Sequence, residues 1–120
     1  MNQNAILAAS TILVLLSIGS LFQPNQTSKV KLLVTVIDAA GKNVEGATIT
    51  IYSSEEDYQN SINELIVGKS DKKGRFQFKG LESKSYFLDV RKDAMNNAAD
   101  GAETGLISQE KVNKILVTVK

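Results

Sequence analysis

The sequence contains no cysteine, no histidine and no tryptophan, and its one proline is Pro24. Without cysteine there is neither a disulfide nor a thiolate, and without histidine the common zinc ligands and the Ser-His and Cys-His pairs are all missing. Most familiar enzyme chemistries are excluded before any fold is considered. Neither sign of charge prevails, since fourteen Lys and Arg stand against thirteen Asp and Glu for a formal net charge of +1. That balance offers no basic face to a phosphate backbone, so nucleic acid is not an expected partner. A chain of 120 residues leaves room for one compact domain, given roughly 100 to 200 residues per domain.

Charge is also unevenly placed, because every charged side chain lies from Lys29 onward. The uncharged stretch before it holds the run AILAASTILVLLSIGSLF, which begins at Ala5 and closes at Phe22 with only Ser10, Thr11, Ser17 and Ser20 as polar side chains. As a helix it would span about 27 Å, at the short limit for crossing a hydrocarbon core. A signal peptide or signal anchor is therefore expected over 1–22. Ser17 and Gly19 stand at the −3 and −1 places for a cut before Ser20, and Ile18 with Ser20 offers a cut one residue later. No Lys or Arg precedes the run, and no cysteine follows it to carry a bacterial lipid anchor. The polar hexapeptide QPNQTS reads as a linker over 23–28, and Asn25-Gln26-Thr27 matches a glycosylation sequon. The folded unit is expected over 29–120.

Within that unit the dominant signal is a period of two. Val30, Leu32, Val34 and Val36 share one parity, as do Ala47, Ile49 and Ile51, then Phe76 and Phe78, then Tyr86, Leu88 and Val90, and finally Ile115, Val117 and Val119. Between these runs stand turn signals. Gly41, Asn43 and Gly46 predict a hairpin-like turn after the first strand, Asp71 and Gly74 predict a tight turn in SDKKG, and Gly80 predicts a further turn. Ser53 or Ser54 ahead of Glu55, Glu56 and Asp57 has the cap-plus-acid signature of a helix start. The Asn-, Asp- and Gly-rich stretch over 93–105 predicts a long loop. Six or seven short strands without a sustained helical pattern imply an all-β, antiparallel Ig-like or transthyretin-like sandwich.

The series Val34-Thr35-Val36-Ile37-Asp38, Gly41, Val44-Glu45-Gly46-Ala47-Thr48-Ile49, then Ser70-Asp71, Gly74, Phe76, Phe78, Leu81, Tyr86 and Val90 resembles the carboxypeptidase regulatory-like domain family. The match runs from about Lys29 to Val90, with a weaker continuation to Lys120. It implies a transthyretin-like β-sandwich and a non-catalytic accessory or adhesion-type module of the kind found in secreted and surface proteins of bacteria. Two families that share the sandwich carry chemistry. Collagen-adhesin B-type repeats place a crosslinking lysine two residues before the turn aspartate, where this sequence has Val36. Transthyretin-like hydroxyisourate hydrolases depend on histidines and a carboxyl-terminal Tyr-Arg-Gly-Ser, whereas this sequence has no histidine and ends ILVTVK. Neither activity is expected.

The remaining candidates are few. Asp93, Asn96, Asn97, Asp100 and Glu103 supply oxygens of the type that Ca²⁺ prefers, but without EF-hand spacing. Glu55, Glu56 and Asp57 could be read as acid–base carboxylates, and more simply as acids favoured at a helix start. Lys72, Lys73 and Arg75 form a small basic tip, and Tyr52, Tyr58, Phe87 and Tyr86 are candidates for an aromatic patch. The expectation is an exported, non-enzymatic module without catalytic residues or a cofactor, monomeric, and binding an unknown protein or glycan at the cell envelope. It would touch a membrane only through the apolar run, if that run is retained. The alternatives are an assembly subunit that joins others through an exposed edge strand between Lys114 and Lys120, and a small carboxylate-dependent envelope enzyme.

Overall fold

The computed structural model describes residues 29–109 and 112–120. The expected leader over 1–22, the linker over 23–28 and the sequon at Asn25 lie outside the described residues. The first strand, β1 (Val30–Ile37), buries alternate residues as its sequence period requires, with Val30, Leu32, Val34 and Val36 inward. At its end Asp38 folds the chain back, its Oδ1 accepting from the amides of Ala40 and Lys42 at 2.9 Å each. The turn closes with an isolated bridge between Ile37 and Asn43, but no hairpin follows. After Val44 and Ala47, both buried, the chain enters β2 (Thr48–Tyr52), which belongs to the opposite sheet.

Ser54 caps the short helix α1 (Glu55–Asn60), its Oγ accepting from Asp57 N at 3.1 Å, and Glu55, Glu56 and Asp57 form the acidic first turn. Then come β3 (Ile66–Lys69) and β4 (Arg75–Leu81), joined by the Asp71 turn. Asp71 repeats the Asp38 geometry, with Oδ1 accepting from Lys73 N at 2.8 Å and Arg75 N at 2.9 Å. Gly74 is obligatory there. Its φ is +77°, and a Cβ would stand 2.6 Å from Val36 O. Gly80, read from sequence as a turn, instead lies inside β4 at φ +72°, where the register against β1 slips between Val30 and Leu32. It is a β-bulge, which lets both Phe78 and Leu81 point inward.

β5 (Ser85–Lys92) runs antiparallel beside β2 and returns Tyr86, Leu88 and Val90 to the core. The stretch expected to be one long loop contains β6 (Met95–Asn96), a 3-10 turn (Ala98–Asp100) and β7 (Glu103–Leu106), with both strands pairing β5. β8 (Val112–Thr118) closes the chain beside β1. The strand order is β4-β1-β8 in one sheet and β3-β2-β5-β6 in the other, with β7 also on β5.

Two further expectations, about the sheets as a whole, need correction. Among the described residues there are eight strands rather than six or seven, because the Asn-rich stretch finds unpaired backbone groups along β5. The sandwich is also not wholly antiparallel: β8 pairs β1 in parallel from Lys31 with Val112 to Ile37 with Thr118. The chain reaches β8 from the same end at which β1 begins, and an antiparallel pairing would need the reverse entry.

Between the sheets Leu32, Val34, Val36, Ile49, Ile51, Phe78, Leu88 and Val90 form a continuous apolar layer. Each such side chain contributes roughly 1.5–3 kcal/mol on full burial. Among the described residues two polar side chains are buried in it, Ser70 and Asn97. Ser70 Oγ donates to Val44 O at 2.6 Å and accepts from Ala47 N at 2.9 Å, which ties the crossover from β1 to β2 onto the end of β3.

Candidate functional site

α1 lies against the outward face of β2 and β5 through Tyr58, whose ring meets Tyr52 edge-on at 5.9 Å and stacks on Phe87 at 6.3 Å with 29° between planes. This is the aromatic patch anticipated from sequence, without Tyr86. Tyr86 has the opposite parity to Phe87 and is buried inside the sandwich. Burial raises the phenol of Tyr52 above its ordinary pKa, with the charge of Asp89 adding to the effect. Beside the patch, Arg91 Nε bonds both carboxylate oxygens of Asp89 at 3.0 and 2.9 Å, and that contact raises the guanidinium further.

Tyr58 and Phe87 form one wall of a groove of about 410 Å³ that runs between α1 and the backbone leading into β7. Glu55, Asp100 and Glu103 line it, and no basic side chain does. Glu103 Oε2 accepts from Ser85 Oγ at 3.0 Å, and Glu55 Oε2 accepts from Gln59 Nε2 at 3.2 Å. Asp100 has a cationic neighbour, with Lys120 Nζ 3.4 Å from its Oδ1.

The five oxygen-bearing residues read as a Ca²⁺ candidate are put to different uses. Asn97 is 1% exposed and serves the backbone of β5: its Oδ1 accepts from Val90 N at 2.9 Å and its Nδ2 donates to Leu88 O at 3.0 Å. Asn96 Oδ1 accepts from Ala98 N, and Asp93 adopts a left-handed φ of +55° in the turn before β6. Asp100 and Glu103 face the groove. Among the described residues no group of three or more Asp and Glu side chains comes together as a metal cage.

Glu55, Glu56 and Asp57 follow one another on the surface of α1; Asp57 Oδ1 accepts from Asn63 Nδ2 at 3.3 Å. Lys72, Lys73 and Arg75 project from the β3–β4 turn, all exposed. The carboxylate of Asp71 is held on the amides of Arg75 and Lys73, and those bonds keep it below the ordinary carboxylate range.

β8 pairs on one side only and is an edge of its sheet. Leu116, on its outward face opposite Thr35, is 64% exposed, while Val117 and Val119 are buried. A second opening of about 290 Å³ lies along the inner side of β8, between Ile115 to Thr118 and the Gly101 to Thr104 backbone. Ile62, Leu65 and Val67 are exposed around the other sheet's edge strand, β3. No helix among the described residues is long and apolar enough to cross a membrane.

No family model matches this sequence, and no curated protein does either. Solved structures do match it. The Bacillus anthracis TIE protein superimposes with a TM-score of 0.57 at 22% identity, over 78% of this chain and 16% of that chain. BcpA, the major pilin subunit of Bacillus cereus, gives 0.53 at 18% identity over 78% of this chain and 30% of that one. The shaft pilin SpaA from Lactobacillus rhamnosus GG gives 0.51 at 18% identity over 79% of this chain and 49% of that one. This chain therefore spans less than half the length of each. At these identities the likeness establishes the fold: a two-sheet β-sandwich of the kind found within pilin subunits.

Proposed function

We propose that this protein is an exported, non-catalytic structural module that assembles with other protein modules at the bacterial cell surface. The observation that carries the reading is the edge strand β8, paired on one side by β1 and presenting Leu116 at 64% exposure. An edge strand with an apolar outward residue is a template for association. Solved pilin subunits with the same sandwich support assembly over the binding of a small ligand. Assembly thus takes the place of the monomer expected from sequence.

The D-x-x-G turns at Asp38 and Asp71 support the carboxypeptidase regulatory-like resemblance at the level of scaffold, since both shape backbone and neither presents a reactive group. The apolar run closing at Phe22 is the proposed export signal, and residues 29–120 are the module it delivers.

The test is light scattering, over a hundredfold concentration range, of protein recovered from cells expressing the full chain, with mass spectrometry of its amino terminus. Export predicts a mature end near Ser20 or Leu21. Assembly predicts a mass that rises with concentration and falls back for Leu116→Lys. Truncating from Ile115 would not serve, because it removes Val117 and Val119 from the core. A protein that stays monomeric throughout would refute the reading.

A further inference from the structure

We infer that the groove beside Tyr58 and Phe87 receives the basic β3–β4 tip of a second copy of this chain. The inference rests on the assembly reading above and names the surfaces that meet. The groove has an aromatic wall, three carboxylates and no basic lining residue. Among the described residues Glu55 and Glu103 bond the neutral groups Gln59 and Ser85 and no cation, whereas Asp100 has Lys120 beside it. The carboxylates do not converge, which disfavours a single metal ion and suits an elongated cation. Lysine and arginine fit both properties, because their stems pack on rings while their heads reach carboxylates.

The complementary surface is present on the same molecule. Lys72, Lys73 and Arg75 are exposed on one turn. Among the described residues the ion pairs are Arg91 with Asp89 and Lys120 with Asp100, so none engages the tip. Asp71, the acid within the tip, has its carboxylate committed to backbone amides. The tip leaves the sheet from β3, whereas the groove lies at β5 and β7 beyond β2, toward the opposite edge. A molecule cannot close this contact on itself. Two different patches that pair between copies make a heterologous contact, which propagates as a chain of modules unless the rotation closes a ring. The overall charge of +1 conceals this polarity.

The experiment uses sedimentation velocity on the secreted protein with two charge-reversed variants, Lys72→Glu/Lys73→Glu and Glu55→Lys/Glu103→Lys, each checked for native circular dichroism. Association of the wild type is expected to weaken at least about tenfold between about 20 and 300 mM salt. Each variant alone should associate at least about tenfold more weakly than wild type at low salt, and a 1:1 mixture should recover, because each reversed patch then finds its opposite. Should either folded variant associate like wild type, or the mixture fail to recover, the inference is overturned. If at the same time Leu116→Lys disperses the protein, the assembly reading survives without it. A wild type that remains monomeric overturns both.

Discussion

The hydroxyl of Tyr86 is bonded to both backbone polar groups of Glu82, accepting from its N–H at 3.0 Å and donating to its carbonyl at 3.1 Å. The ring is buried at the start of β5, and burial raises the phenol above its ordinary pKa. One side chain thereby anchors the connection from β4 to β5 while filling the core.

Tyr86→Phe keeps the ring and removes both bonds. It should cost about 1–3 kcal/mol, because the Glu82 groups lose a partner in a part-buried setting. Urea unfolding should show a lower midpoint with an unchanged slope.

Gly68 in β3 faces the ring of Phe76, and a Cβ at that position would overlap the ring carbons. Gly68→Ala is expected to destabilise by about 1–3 kcal/mol through overpacking. Combined with Phe76→Leu, the loss should be smaller than the sum of the two single losses, since the smaller side chain clears the space. Additive losses in thermal unfolding would show that the glycine is not set by this ring.

Asn97→Asp tests the buried amide. Its Nδ2 donates to the carbonyls of Leu88 and Gly101, which an ionised carboxylate cannot do. The folded state therefore favours the neutral acid and raises the pKa of the introduced carboxyl above its unfolded value. Stability of the variant should lie nearest to wild type in acid and decline as pH rises, by about 2 kcal/mol or more at neutral pH. Chemical denaturation at a series of pH values reads this directly, and a pH-independent loss would reject it.

Asp71 carries the opposite sign. Backbone bonds from Arg75 and Lys73 hold its pKa below the unfolded value, so the unfolded chain binds the proton more tightly. The contribution is present above the ordinary carboxylate range and is lost as pH falls through the lowered folded value. Asp71→Asn should flatten the drop in melting temperature between about pH 5 and pH 2 relative to wild type. Equal acid limbs would mean that the turn is indifferent to this charge.

Leu32→Ala removes a fully buried side chain between β4 and β8 and should cost about 2–5 kcal/mol, whereas Leu33→Ala, one residue on and half-buried on the outer face, should cost distinctly less. Comparable losses would contradict the parity on which the sandwich rests.

The period of two was legible wherever one sheet face is dry. Every inward residue read from β1, β2 and β5 is buried, and Phe76 and Ile115, on the two edge strands of the three-stranded sheet, are partly buried. The Asp71 turn was legible too, because Asp and Gly at that spacing satisfy the turn within five residues. Asn97 was not: its composition reads as solvated loop, and its burial depends on amides and carbonyls of β5 seven and nine residues away. The groove was half legible. Its aromatic and acidic residues were each noted from sequence, but Glu55, Phe87 and Glu103 become neighbours only when α1 and β7 settle on either side of β5.

Local chemistry by itself determined the core strands β1, β2, β4, β5 and β8, the Asp71 turn and the absence of thiol and imidazole chemistry, because alternation and turn geometry involve residues only a few positions apart. Tertiary structure alone decided that β8 runs parallel to β1, that Asn97 lies inside, and that the basic β3–β4 tip stands apart from the acidic aromatic groove at β5 and β7. Those outcomes depend on which distant strand satisfies an unpaired backbone, and sequence spacing carries no record of that choice.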